Sequence, residues 1–406
     1  MSAERRLTGR YCLLQGSYYG ANCAVLGYVS VFLLDRGVTP TVIGALVAAG
    51  NILSAICQPW VAGIADRSQR ITLRQMIRLT AVAGAFVSLL VGISENRLVM
   101  MPLYMLLALI TNLQMPLVNA VSVYYGNRGE EINYGVARGL GSLTYAVFSY
   151  ALGFLTGRLG AVLVPWAAFA LYGAVFACCG LFQMSAAGKT AETAMADKET
   201  GGTVPEGAKN PLRFFGRYRR FTGVLFGVVM LFSFHNIICT YMIRLVARFG
   251  GGSAQMGLAL AVAAVCEIPI MFLYSELAKR FSSRALLLAS ALGFFVKSLL
   301  LLAAWNAALL LAAQAFQAFS FALFIPASVA YTDRAMEAGD KVKGQAYMTA
   351  ALTLGGVVGN LSGGVVLDVS GVTAMLVLGC AFALAGVLAI GYSVRPEGGR
   401  PGQKPT

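Results

Sequence analysis

Apolar runs alternate with short polar gaps along the whole chain. Twelve runs can be delimited, at residues 11–34, 41–64, 76–94, 98–124, 134–157, 161–184, 219–243, 256–277, 285–304, 308–332, 346–367 and 372–394. A bilayer core of about 30 Å takes about 20 apolar residues per helix, so this pattern predicts membrane-crossing helices. The runs are continuous, not alternating segments of about 10 residues, which excludes a β-barrel. The expected fold is therefore an all-α membrane protein with 12 transmembrane helices.

One gap is long. From Ser185 to Tyr218 the chain is rich in Ala, Gly, Thr, Lys and Glu and lacks apolar periodicity. This divides the chain into residues 1–184 with six runs, a linker at 185–218, and residues 219–406 with six runs and a short tail. The linker is expected to be flexible at its start. Its basic end (Arg213, Arg217, Arg219 and Arg220) is expected at the anionic lipid surface. The two parts echo each other. Ala65-Asp66-Arg67-Ser68-Gln69-Arg70 follows run 2, and Ala278-Lys279-Arg280-Phe281-Ser282-Ser283-Arg284 follows run 8. Run 5 opens with Tyr134-Gly135, and run 11 opens after Lys343-Gly344. Two six-helix pseudo-repeat halves around a central cavity are the architecture of larger secondary transporters, with the substrate near mid-membrane.

Composition agrees and adds exclusions. The chain is 58% hydrophobic and 12% charged, against about 45–50% and about 25% in soluble domains. Disorder is excluded by the same hydrophobicity. The net charge is +14, but the basic residues sit in the gaps, so topology rather than nucleic acid accounts for it. Of the 31 Lys and Arg, 24 lie on the side of the termini. Five (Arg36, Arg97, Arg158, Arg244 and Arg248) lie opposite. The positive-inside rule then puts both termini in the cytoplasm of a multi-pass cell-membrane protein. The first run is too long for a signal-peptide core. The eight cysteines fall inside the runs without metal-ligand spacing, and no phosphate loop is present. No enzyme activity, metal or cofactor is expected, and a proton is the expected coupling ion.

Ionisable groups within a membrane run cost at least about 2.5–3.5 kcal/mol at mid-bilayer, so they mark function. Glu267 in run 8 is the carboxylate placed clearly within a run, with Lys297 in run 9, Arg138 one turn into run 5, and His235, the one histidine, central in run 7. Glu267 is the candidate proton carrier, because desolvation disfavours its charge while a cationic neighbour favours it. The plainer alternative is a permanent pair with Lys297. His235 suits a proton relay or a substrate hydrogen bond, or a plain bond to Asn236 or to a neighbouring helix. Arg138 can grip a carboxylate or a hydroxyl pair with parallel bonds, or snorkel to the headgroups. Gln15, Tyr18, Tyr19 and Asn22 recur at helical spacing in run 1, and Gln314 and Gln317 are one turn apart in run 10. With Asn51, Asn112, Gln114 and Asn360 they suit a wet cavity for a small polar solute. Singly, each can also serve as polar glue between helices, worth about 0.6 kcal/mol per bond.

The chain resembles the major facilitator superfamily over nearly its whole length. The loop after run 2, with Gly63, Asp66, Arg67 and Arg70, is similar to that family's loop signature, although Gln69 stands where a glycine is usual. The resemblance implies a gating role for Asp66 and Arg67. Tyr134-Gly135-Val136-Ala137-Arg138-Gly139-Leu140-Gly141-Ser142 resembles the start of span 5 in galactoside–proton symporters and phenylpropionate-permease-like carriers. Glu267-Ile268-Pro269-Ile270-Met271-Phe272 resembles span 8 of the latter. By resemblance, Arg138 and Lys297 occupy positions where these symporters place cations for substrate and coupling. Asn119 replaces the galactoside symporters' substrate-binding glutamate, and Gln317 and Ser320 replace their His and Glu in span 10. Galactoside specificity is accordingly not expected. Residues 134–157 contain no proline, unlike the drug-antiporter signature.

The expectation is a monomeric proton symporter that imports a small organic solute by alternating access. The solute classes are a sugar or oligosaccharide, a nucleoside, or an aromatic or other organic acid. An efflux antiporter and a non-transporting sensor with a carrier fold are the alternatives.

Overall fold

The computed structural model describes residues 3–67, 71–130, 132–182, 184 and 211–394. Among these residues every regular element is helical. In chain order they are α1 (Ala3–Asn22), α2 (Val29–Asp35), α3 (Pro40–Arg67), α4 (Leu73–Ile93), α5 (Arg97–Gly126), α6 (Tyr134–Leu159) and α7 (Leu163–Gly180). After the linker come α8 (Pro211–Arg217), α9 (Arg219–Ala247), α10 (Ser253–Arg280), α11 (Ser283–Leu302), α12 (Ala307–Ala315), α13 (Leu323–Ala335) and α14 (Lys341–Ser393).

Ten described helices are long and apolar enough to cross a membrane, or eleven if the bent pair in the first run counts as one. That first run is less regular than its sequence suggests. A π-helical segment, Cys23–Gly27, separates α1 from α2, and a second one, Ala318–Ala322, separates α12 from α13. The last two sequence runs fall on α14. At 53 residues it would reach about 80 Å if straight, far more than one bilayer core. Gly371 interrupts it with φ 79 and ψ −176, a conformation that glycine tolerates. The segment on each side is long enough to cross.

Polar residues in the gaps start the helices. The Thr72 hydroxyl accepts from the Gln75 amide while the Gln75 side chain accepts from the Thr72 amide, a capping box. Asn133, Ser282 and Asn306 cap α6, α11 and α12 through their side chains. At the end of the linker, α8 is a short helix whose Phe214 and Phe215 pack on Tyr347 of α14, with ring centroids 4.8 and 4.9 Å away. Arg217 bonds Glu337 at 2.6 Å. Large apolar side chains such as Trp60, Phe272 and Leu388 stay exposed on the bundle surface, as lipid-facing positions do.

Helices α1 to α7 pack among themselves, and α9 to α14 do likewise. The two sets meet chiefly where α6 packs on α10 and α3 packs on α14. The two ends of these contacts differ. At the end away from the termini, Gly153 of α6 lies so close to α10 that an added Cβ would meet the Ser253 carbonyl oxygen at 2.5 Å. Gly364 of α14 would likewise meet the Pro40 oxygen at 2.5 Å. Thr41 donates to Asp368 from its backbone N at 3.0 Å and from its hydroxyl at 2.5 Å. Ser30 donates to the Thr240 carbonyl, and Tyr241 donates to the Pro40 carbonyl at 3.1 Å. One apolar core runs through both helix sets here, including Phe32, Ile43 and Leu152 with Ile238, Tyr241 and Met256. At the end near the termini, the first set has a core of its own, built on Tyr11, Ile77, Val121 and Val175. A Cβ on Gly63 of α3 would meet nothing within 4 Å there.

Candidate functional site

Glu267 lies at the middle of α10, which packs on α6 and on the π-interrupted helix formed by α12 and α13. Its side chain is turned inward: the residue is 9% exposed, and its carboxylate accepts a bond from Gln317 Nε2 at 3.1 Å. Gln317 Oε1 in turn accepts from Lys297 Nζ at 2.6 Å. Lys297 of α11 is buried at 3% exposure and Gln317 at 5%. The amide thus stands between a cation and an anion, turning its acceptor to the ammonium and its donor to the carboxylate. Gln317 immediately precedes the π segment Ala318–Ala322. Such segments shift the side chains that follow and recur at functional sites.

Arg138 approaches from α6. Its Nη1 donates to Ser142 Oγ at 3.1 Å, and its guanidinium lies 4.7 Å over the Tyr19 ring of α1, a cation–π contact. Arg138 and Lys297 both lie within coulombic reach of Glu267. The sequence placed these three charges on separate helices, and the fold turns them toward one region.

His235 sits apart from this bridge. Its ring stacks on Phe321 with centroids 4.8 Å apart, and Phe232 and Phe294 pack around it. Its ring-nitrogen contact is Cys239 Sγ, 3.6 Å from Nε2. Asn236 donates to the Phe232 carbonyl. His235 remains near Lys297 electrostatically.

The stripe on α1 is a set of interlinked neutral groups. Gln15 donates to Tyr11 at 2.7 Å and to Asn119 at 3.0 Å. Its fully buried side-chain oxygen has no hydrogen-bond partner. Tyr18 donates to the Thr111 carbonyl at 3.3 Å, and Asn22 donates to Tyr18 at 3.5 Å. Asn22 immediately precedes the other π segment. Tyr19, through Arg138, joins this set to the charged one.

Two expected site residues have different surroundings. Asn360 is fully buried and bonded at both ends of its amide: Oδ1 accepts from Thr240 at 2.6 Å and Nδ2 donates to the Gly356 carbonyl at 2.7 Å. It joins α9 to α14 through these bonds. Gln314 is 2% exposed and its contact is Met242 Sδ at 3.9 Å, so it does not enter the Glu267 bridge. Asp66 and Arg67 end α3, and their side chains lie outside the described residues, as does the rest of that loop. The residues beside these groups that sequence reasoning missed are Ser142, Phe321 and Tyr145 of α6, the last within coulombic reach of Glu267. Ser142 was visible one turn beyond Arg138, whereas Tyr145 and Phe321 depend on how helices meet.

A separate depression of about 390 Å³ at the end away from the termini is lined by Asp35, Arg244 and Ser253 among others. It shares no residue with the Glu267 group.

Residues 10–377 match the family described as MFS_1 like. The chain belongs to that family. Solved structures agree with its fold. The nucleoside transporter NupG aligns with this MFS_1-like chain at a TM-score of 0.74, with 13% identity, over 97% of this chain and 98% of its own. A D-xylose–proton symporter gives 0.71 at 14% identity, over 97% of both chains. A mutant of the peptide transporter POT gives 0.68 at 13%, over 96% and 93%. At these identities the likeness is one of fold. No sequence among curated proteins matches the chain. Family and fold make this a multi-pass membrane protein of transporter type, not an enzyme.

Proposed function

We propose that this MFS_1-like protein is a proton-coupled secondary transporter that imports a small polar organic solute by alternating access. The solute is a sugar or oligosaccharide, a nucleoside, or an aromatic or other organic acid. Twelve spans form two six-helix halves in the cell membrane, with both termini cytoplasmic and the monomer as the working unit. The observation that carries this reading is the inward-turned Glu267, held through Gln317 to Lys297 with Arg138 within reach. A carboxylate so placed can take up a proton from one side and release it to the other when the surrounding helices rearrange.

The tight contacts at the end away from the termini support a cytoplasm-facing state of such a carrier. Proteins of the same fold include a nucleoside transporter and a sugar–proton symporter, which favours symport of a polar solute. Asn119, Tyr18, Tyr19 and Asn22 are the candidate solute contacts on the α1 side, with Arg138 between them and Glu267. The test is uptake by proteoliposomes under an imposed proton gradient. The parent protein concentrates its solute, while Glu267→Gln retains exchange of solute across the membrane but no longer concentrates it. Unchanged concentration by that variant removes Glu267 from the proton route.

A further inference from the structure

The charges that meet around Glu267 do not balance. Arg138 and Lys297 contribute two positive charges and Glu267 one negative. Among the described residues, Tyr145 on α6, Cys239 on α9 and Cys266 on its own helix also lie within coulombic reach of Glu267. His235 of α9 faces Lys297. The packed helix of α12 and α13 contributes the neutral amide of Gln317. With Glu267 ionised the site carries +1. Protonation alone raises it to +2, and an uncompensated charge in a poorly solvated place is costly.

The two cations also have unused hydrogen-bonding capacity. An ammonium has three donors, and Lys297 spends one on Gln317. A guanidinium has five donors, and Arg138 spends one on Ser142. Among the described residues neither is paired directly with a carboxylate within salt-bridge distance, and the amide of Gln317 stands between Lys297 and Glu267. A carboxylate entering beside them gains charge-assisted bonds, but an ionised Glu267 repels it.

We infer that the transported solute is an organic monoanion, a carboxylate held by Lys297 and Arg138, which crosses with one proton on Glu267 in an electrically neutral exchange. The proton removes the repelling charge, and the anion replaces it. The empty carrier with ionised Glu267 and the loaded carrier with proton and anion then both carry +1. A proton without an anion leaves +2. A neutral sugar or nucleoside leaves the same +2 once Glu267 is protonated. This inference rests on the symport reading above and narrows its solute class.

The test uses the whole protein in proteoliposomes with gluconate, galacturonate and 4-hydroxybenzoate, beside xylose and uridine as neutral probes. Empty liposomes correct for permeation of the weak acids. At least one monoanion is expected to accumulate when the outside is acidic. Imposing about 100 mV, inside negative, changes that accumulation less than about twofold, whereas one net transported charge would change it roughly 50-fold at equilibrium. Lys297→Gln weakens binding of the monoanion, read by thermal shift, by about tenfold or more. Proton-driven uptake of xylose or uridine with no binding of any monoanion overturns this inference and leaves symport standing. Accumulation of a monoanion that follows the membrane potential overturns the neutral exchange. Monoanion uptake indifferent to the proton gradient overturns the symport reading itself, together with the coupling inferred here.

Discussion

The two ends of the helix bundle are built differently. Away from the termini, glycines at 153 and 364 let backbone approach backbone, and one apolar core joins α1–α7 to α9–α14. Toward the termini, the first set keeps a core of its own, and Gly63 faces open space. Close packing is hard to deform and loose packing is not. In the alternating-access cycle proposed above, the difference would mark which end has to give way and which residues hold it shut.

A wedge in the tight end has the largest effect. Gly364→Val places a side chain against the Pro40 backbone, where neither partner can swing aside. Overpacking of this kind costs about 1–3 kcal/mol, equivalent to a roughly 5–150-fold change in the ratio of closed to open forms. Spin labels at Arg158 and Gln255, at the outer ends of α6 and α10, should report a new population at longer distance. An unchanged distance distribution would remove that contact from the gate. A smaller shift, about 1 kcal/mol, follows from removing the hydroxyl bond with Thr41→Val, because the acceptor Asp368 is charged but exposed. The same labels measure it, and it should be largely lost in Asp368→Asn.

At the loose end the expectation reverses. Gly63→Ala adds a methyl group where nothing is close and improves helix propensity by up to about 1 kcal/mol. Thermal unfolding should show no loss, and label distances at the tight end should stay the same. A drop in melting temperature would mean that this end is packed after all.

The smallest effect concerns Asp340 outside the membrane, near α8. Burial raises its pKa, but the Tyr218 hydroxyl with Lys343 and Arg217 more than reverses this, so it lies below the usual carboxylate value. A depressed folded-state pKa contributes stability above the unfolded value, and this is lost as pH falls through the folded one. The docking of α8 should therefore hold at neutral pH and weaken below about pH 4. Fluorescence of a label on α8 can follow it, and no change between pH 6 and pH 3 would exclude Asp340 as the anchor. Asp340→Asn should flatten the profile.

Much of this was readable from the chain because lipid is a severe solvent. Charges at 138, 267 and 297 stood out against apolar runs. Period and composition do not say which residue of one helix meets which of another. Gln317 was therefore legible as a polar residue at a helical spacing from Gln314, but its place between Lys297 and Glu267 was not. Asn360 looked like a cavity residue because a mid-run amide has the same signature whether it binds a solute or the next helix. The π segments after Asn22 and before Leu323 left no mark, since one extra residue in a turn depends on tertiary contact. Gly371 was partly legible: Asp368, Ser370 and Gly371 set a gap at the right place, although α14 continues around it.

The shared apolar core at the tight end has a thermal consequence. Prying it apart brings oily surface into contact with water, which raises heat capacity, and this kind of attraction weakens on cooling. If the proposed cycle opens that end, chilling should favour the open form even without solute, and the resting posture would then depend on growth temperature.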